Sequence, residues 1–283
     1  MRRRSPFEYW VNLPAGLIAL TGVLFALGLV LVMSLRVNDG DLLAAAFTTS
    51  NFTDALTDPL FFKIFLRSIV IAGLAAAATV GLAYPAAYFI TFFGGAHRSL
   101  WLTLITLPFW TSYLLRVFAW RVILGYNGIL NSGLMAIHFP GAPFTSLLYN
   151  PKAVVITLSH AYAAFAILPI YVSLSAIDKK LAEAGLDLGA APFTVFRRII
   201  LPLSLPGVIA AFVLVFVPTL GDYATPILVG GPSSTMLGNL IQDQFGEAAN
   251  WPGGAAMAVI VMATLGLVYG LSRFGRRLWI KRA

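Results

Sequence analysis

Residues 178–189 read Asp178-Lys179-Lys180-Leu181-Ala182-Glu183-Ala184-Gly185-Leu186-Asp187-Leu188-Gly189. The pattern is helical but too polar to cross a membrane, and it stands between two long apolar runs, Ala153–Ile177 and Ile199–Gly221. Asp178 suits an N-cap, because its carboxylate accepts N–H bonds that the first turn leaves open. Leu181, Ala184, Gly185 and Leu188 then share one face. Gly189 can take the left-handed conformation that ends a helix, and Pro192 suits the first turn of the next, where its missing N–H costs nothing. Phe193, Phe196 and Ile200 form a second apolar stripe. The segment is expected to be a helix, a turn and a second helix with a small-residue knob. Such a projection packs against its own bundle or sits in a partner's groove.

The flanking runs are two of six. The 283 residues are 59% hydrophobic and 11% charged, with a mean hydropathy of +0.86, against about 45–50% and about 25% for soluble globular chains. That composition excludes a soluble one-core protein, and disorder as well. Stretches free of Asp, Glu, Lys and Arg run Leu13–Leu35, Ser68–Ala96, Ser99–Leu115 (extending past Arg116 towards Arg121), Ala153–Ile177, Ile199–Gly221 and Ala248–Ser272. A hydrocarbon core of about 30 Å takes about 20 helical residues, and the weak ten-residue alternation of a barrel is absent. The expectation is an all-α membrane protein in one domain over 1–283. Its six spans fall at about 13–35, 68–94, 99–121, 153–177, 204–226 and 251–273, with a cytoplasmic loop at 178–202.

With six spans both termini share a side, and that side holds Arg2, Arg3, Arg4, Arg98, Lys179, Lys180, Arg197, Arg198, Arg273, Arg276, Arg277, Lys281 and Arg282, which is 13 of the 19 Lys and Arg. The bias puts both termini in the cytoplasm. It also accounts for the net charge of +8 without nucleic acid as a partner. The start resembles a secretory signal, but its 23-residue apolar run exceeds the usual 7–15 and no small-residue cleavage site ends it, so it reads as a retained first span. Among the outer loops, Met236, Leu237, Leu240, Ile241 and Phe245 share a helical face opposite Gln242, Asp243 and Glu247. The alternatives are a short amphipathic helix at the outer interface and an ordinary capping loop.

Enzyme chemistry finds no starting point. There is no cysteine, and His97, His138 and His160 show no metal-ligand spacing, so catalytic residues and metal are both expected to be none. His160, inside the fourth span, is a candidate for a helix-to-helix hydrogen bond. No G-x-x-x-x-G-K-[ST] occurs, and none of the five lysines follows a glycine-rich loop, so the chain has no P-loop for ATP phosphates.

Glu183-Ala184-Gly185, three residues, Gly189, nine residues and then Ile199-Ile200-Leu201-Pro202 together resemble the EAA loop of membrane subunits in binding-protein-dependent ABC importers. The usual third Ala is Gly185 here. Leu107-Pro108-Phe109-Trp110-Thr111-Ser112-Tyr113, Pro218-Thr219-Leu220-Gly221-Asp222-Tyr223 and Gly230-Gly231-Pro232 extend the similarity, over essentially the whole chain, to the spermidine/putrescine permease branch of the PotB/PotH type. The resemblance implies a type I ABC importer permease (MetI-like) fold in the bacterial inner membrane. It implies a second homologous permease, two copies of a cytoplasmic ABC ATPase that carry ATP and Mg, and a periplasmic substrate-binding protein, with no cofactor on this chain beyond membrane lipid around it. By match, Glu183, Ala184, Gly185, Asp187, Gly189 and Pro202 would form the ATPase-coupling loop. The implied cargo is a polyamine; other small solutes (an opine, phosphonate, iron or thiamine) and a self-sufficient secondary transporter are the alternatives.

A polyamine is an apolar chain with ammonium ends, so its pathway needs carboxylates and aromatic faces that attract cations. Asp222 is the acidic residue embedded in the apolar stretch 199–241, where ionisable groups usually face a cavity or a partner. Tyr223, Trp110, Tyr113 and Trp120 are the aromatic candidates. Pairing of Asp222 with Arg116 or Arg121, and a role for the aromatics as interface anchors, are the competing assignments.

Overall fold

The computed structural model describes residues 6–38, 46–144 and 146–280. Arg2, Arg3, Arg4, Asp39, Asp41, Lys281 and Arg282 lie outside the described residues. In chain order the helices are α1 (Pro6–Ser34), α2 (Ser50–Thr57), α3 (Pro59–Phe92), α4 (Arg98–Thr106), α5 (Tyr113–Leu124), α6 (Ile129–Ala136), α7 (Pro151–Ala161), α8 (Ala163–Ser175), α9 (Lys179–Asp187), α10 (Pro192–Val195), α11 (Leu201–Leu220), α12 (Leu237–Phe245) and α13 (Trp251–Ile280). Among the described residues the β-structure is one isolated antiparallel bridge, Arg36 to Phe47.

The chain divides into two compact units, residues 1–62 with 240–283, and residues 63–239. In the first, α13 packs on α1 and on α2. The turn before α13 is stitched by Asn250, whose Nδ2 donates to Gln244 Oε1 (2.9 Å) and whose Oδ1 accepts from Gly253 N (3.1 Å). Phe245 meets Trp251 edge to face at 5.7 Å.

The second unit is built on the small-residue face of α3. Ala72, Ala75, Ala76, Thr79, Ala83, Ala87 and Ile90 recur every three or four residues and are all buried, while Val70, Leu74, Leu82 and Phe89 on the other side stay exposed. That face shares a core with α8 and α11, in which Ala76, Ala83 and Ala87 lie with Ile167, Ile170, Leu174, Ala211 and Val215. Where α8 crosses α11, Gly207 lies against Ser173 and the carbonyl of Pro169; a Cβ there would meet that oxygen at 2.6 Å. Tyr84 OH of α3 and Ser204 Oγ of α11, 2.9 Å apart, satisfy each other and tie those two helices together.

By length and composition three helices among the described residues can cross a membrane: 16–34 of α1, α3, and the continuous helix Pro192–Leu220. Two further spans are broken rather than straight. Gly95–Trp110 and Tyr113–Ala136 meet at 88°, so the expected third span 99–121 is corrected to a bent pair. Pro108 cannot donate to the ladder, the turn Leu107–Trp110 tightens to a 3₁₀ helix, and Thr111 and Ser112 are extended at ψ 148 and 138. The freed Pro108 carbonyl accepts from Thr111 Oγ1 (2.6 Å) and Arg116 Nη1 (2.6 Å). The expected span 153–177 bends by 51° at Tyr162, whose φ of −102 and ψ of 1 interrupt the helix. The expected span 204–226 stops at Leu220, because Gly221 and Asp222 turn the chain. Counting each bent pair as one gives up to five spans; within the expected sixth, Trp251–Leu267 is a shorter apolar helix.

The expected second helix of the cytoplasmic loop is not separate. Pro192–Leu220 runs through α10 and α11 with one π turn at Phe196–Ile200, where Leu201 N donates to Phe196 O. Pro202 has no N–H for the Arg198 carbonyl and its ring crowds that oxygen, which favours slipping the ladder by one residue just before it. The expected helix over 236–245 forms as α12, but its first turn is buried in the protein rather than lying at the interface. Met236 and Leu237 are inaccessible, and Leu237 N donates to Ser68 Oγ at 2.8 Å.

Candidate functional site

Asp222 stands between two helical segments, after the last turn of α11 and before a short helical segment at 224–230. Its Oδ1 accepts from Ala224 N (3.1 Å) and Thr225 N (3.3 Å), capping that segment. Its Oδ2 accepts from Tyr113 OH at 2.6 Å. Tyr113 OH is also 2.6 Å from Thr225 Oγ1. A phenol has one proton, and Tyr113 gives it to Asp222, so Thr225 is the donor to Tyr113. The Tyr162 ring lies 6.0 Å from that of Tyr113. Asp222 is 8% exposed, and among the described residues its carboxylate meets no guanidinium. Arg116 is turned to the Pro108 carbonyl and lies over Phe109 at 5.3 Å, while Arg121 Nη2 donates to Tyr149 OH at 3.4 Å. The alternative pairing of Asp222 with either arginine is therefore corrected: the turn presents the carboxylate to Tyr113, and the arginines have partners elsewhere.

Three helix interruptions meet at this cluster. Tyr113 opens α5 just after the break in the third span, Tyr162 is the bend of the fourth, and Asp222 ends the fifth. Close to the bends of spans three and four is a cavity of about 320 Å³ whose wall includes Pro108, Phe109, Arg116, His160 and Ala164.

The other aromatic candidates are not drawn into the cluster. Trp120 Nε1 donates to His160 Nδ1 at 3.1 Å, so His160 makes the helix-to-helix bond its position suggested. Trp110 is 87% exposed, beside a cavity of about 220 Å³ it shares with Phe165. The Tyr223 ring is half exposed, and its carbonyl accepts from Asn239 Nδ2 at 2.8 Å. Thr225 and Tyr162 were missed in the sequence. Thr225 has a signal, since it stands three residues after a capping Asp and before Pro226, at the third helical position; Tyr162 has none.

The 178–202 segment forms as a helix that folds back on its successor. Asp178 Oδ1 caps α9 through Lys180 N (3.0 Å), and Gly189 turns the chain at φ +80. The face that packs is not Leu181, Ala184, Gly185 and Leu188 together. A Cβ on Gly185 would come within 3.0 Å of Ile199 and 3.1 Å of Val195, so glycine allows close approach to the following helix. Leu181, Glu183, Ala184 and Asp187 are exposed, and Leu188 is 89% exposed. Pro202 is exposed in the first turn of α11, just after the π turn.

Residues 23–274 match the model of the family described as binding-protein-dependent transport system inner membrane component. The chain belongs to this family. As a family member it is a multi-pass inner-membrane protein. It is 36% identical over 231 residues to the spermidine/putrescine transport system permease protein PotB of Escherichia coli (strain K12), covering 82% of this chain and 83% of that one. It is 37% identical over 245 residues to PotB of Haemophilus influenzae, covering 85% of each. A bacterial ABC transporter involved in import of the acidic polysaccharide alginate superposes with a TM-score of 0.69 at 15% identity, covering 95% of this chain and 97% of that one. The fold of this family member is thus that of an ABC transporter membrane chain.

Proposed function

We propose that the chain is the membrane-spanning permease subunit of an ATP-driven importer whose cargo is a polyamine-type cation. ATP is hydrolysed on two copies of a separate ATPase, a second homologous permease completes the channel, and a periplasmic binding protein delivers the cargo. Six spans with both termini cytoplasmic are part of this reading. The observation that carries the cargo is Asp222, a nearly buried carboxylate with no cationic partner among the described residues, at the meeting point of three interrupted helices. An uncompensated charge at such a depth is costly and is retained where a mobile cation supplies its partner. Discontinuous helices are where membrane transporters expose backbone ends and polar side chains to substrate. The permease relatives are spermidine/putrescine proteins, in keeping with an ammonium as that cation.

Docking of α9 to the ATPase follows from its exposed face. Leu181, Ala184 and Leu188 form an apolar stripe at helical spacing that its own bundle leaves uncovered, with Glu183 and Asp187 beside it. ATPase closure would move α9 and, through Gly185 against Val195 and Ile199, the fifth span.

The test is uptake of labelled spermidine by vesicles carrying the assembled transporter, wild type against Asp222→Asn. Loss of a charged partner costs about 1.5–3 kcal/mol, so kcat/KM should fall between about tenfold and about a hundredfold while the subunits still co-purify. Unchanged kinetics in an intact complex would remove Asp222 from the pathway.

A further inference from the structure

Between α3 and α7 lies an open groove of about 710 Å³. Its floor is apolar: Leu66, Val70, Leu74 and Ala78 from α3, with Val155 and Ile156 from α7. Lys63, Arg67 and Lys152 line the same groove. All three belong to the beginnings of their helices, Lys63 and Arg67 in the first turns of α3 and Lys152 at the second position of α7. The helices touch where Ser159 Oγ of α7 reaches the Ala75 carbonyl of α3 at 3.4 Å, and residues of both line the one groove. Seven residues earlier on each, two turns up, stand Lys152 and Ser68, the neighbour of Arg67. The cations therefore gather at one end of the groove and the apolar residues extend away from it.

We propose that this groove binds one anionic phospholipid, its phosphate among Lys63, Arg67 and Lys152 and an acyl chain along the apolar floor. Among the described residues none of these three side chains has a hydrogen bond or ion pair. The first N–H groups of α7, at Lys152 and Ala153, are already taken by Asn150 Oδ1 at 2.8 and 3.0 Å, so the anion's partners are the side chains. A single lysine or arginine near a helix end reaches water by itself. Three that converge from two helices repel one another, and an anionic headgroup offsets that repulsion, as basic pockets between membrane helices do for phospholipid phosphates. The dimensions agree. From Arg67 to Ala78 the helix rises about 16 Å at about 1.5 Å per residue, close to half of a hydrocarbon core of about 30 Å, so the floor is as deep as one leaflet. A zwitterionic lipid fills the apolar floor equally well but brings its own ammonium to the cationic end.

The proposal is independent of the cargo and of the ATPase contact. Delipidated transporter, assembled and in mild detergent, is titrated with phosphatidylglycerol or phosphatidylcholine and read by native mass spectrometry. Wild type should retain one phosphatidylglycerol at least about tenfold more tightly than phosphatidylcholine, at about fivefold per cation. The Lys63→Gln, Arg67→Gln, Lys152→Gln triple variant should bring the two lipids level, and Ala78→Trp should weaken both. Equal retention of the two lipids by wild type, or no change in the triple variant, overturns the site. A photo-reactive phenylalanine analogue in place of Ile156 gives a second reading that does not depend on the triple variant folding. A phospholipid adduct in native membranes supports the proposal, and an adduct to a protein chain overturns it by showing a partner helix in the groove.

Discussion

At the residue scale, the decisive group is a carboxylate whose neighbours explain its position. Asp222 caps the helical segment that follows it and accepts from Tyr113, which accepts in turn from Thr225. A chain of hydrogen bonds in a low-dielectric setting is stronger when complete and more costly when broken. Tyr113→Phe keeps the ring and removes the hydroxyl, leaving one carboxylate oxygen without that donor at a cost of about 1–3 kcal/mol. Spermidine uptake should fall by about tenfold or more. Thr225→Val, which leaves the Tyr113 to Asp222 bond in place, should cost less in the same assay. Equal effects from the two would show that the hydroxyls act only as packing. The capping role of Asp222 was legible, though not read, from its position before Pro226; the sequence pointed instead to a pathway carboxylate or an arginine partner. Its choice of Tyr113, more than a hundred residues earlier, was not legible, because nothing local links the two.

At the scale of elements, glycine and proline set what each helix does. Pro108 breaks the third span, Pro202 is preceded by a π turn, and Gly189 reverses the chain at a positive φ. Gly185 holds α9 against Val195 and Ile199, whereas Leu188 faces outward. The two positions separate structure from docking. Gly185→Leu overpacks the helix pair, at about 1–3 kcal/mol, and should speed amide hydrogen exchange across 179–200. Leu188→Asp alters a surface residue and should leave stability within about 0.5 kcal/mol, yet sharply reduce the ATPase that co-purifies with the complex. Retention of the ATPase by Leu188→Asp would rule out that face as the dock.

At the scale of the whole molecule, the chain contains no cysteine, so single cysteines report sidedness without background. In vesicles carrying the chain stripped of its ATPase, Leu188→Cys should react with an impermeant maleimide only when they are inside-out, and Tyr126→Cys, in the exposed connection after α5, only when they are right-side-out. Reaction of both from one face would break the six-span topology. Much of this scale was written in composition: long charge-free runs and a polar helix between two apolar ones pointed to an all-α membrane protein, because hydropathy acts residue by residue, whereas the family was legible only in the resemblance of the motif over 183–202 to the EAA loop. What only the tertiary structure decided was where those runs bend and which polar groups the bends bring together. Apolar spans look alike in a linear pattern, and a break at Thr111, a kink at Tyr162 and a stop at Leu220 join into one cluster only after the small-residue face of α3 has let the helices pack. The partners of Asp222, the inward turn of Gly185 and the convergence of Lys63, Arg67 and Lys152 on one groove all arise from that packing, which depends on distances between helices that no local propensity encodes.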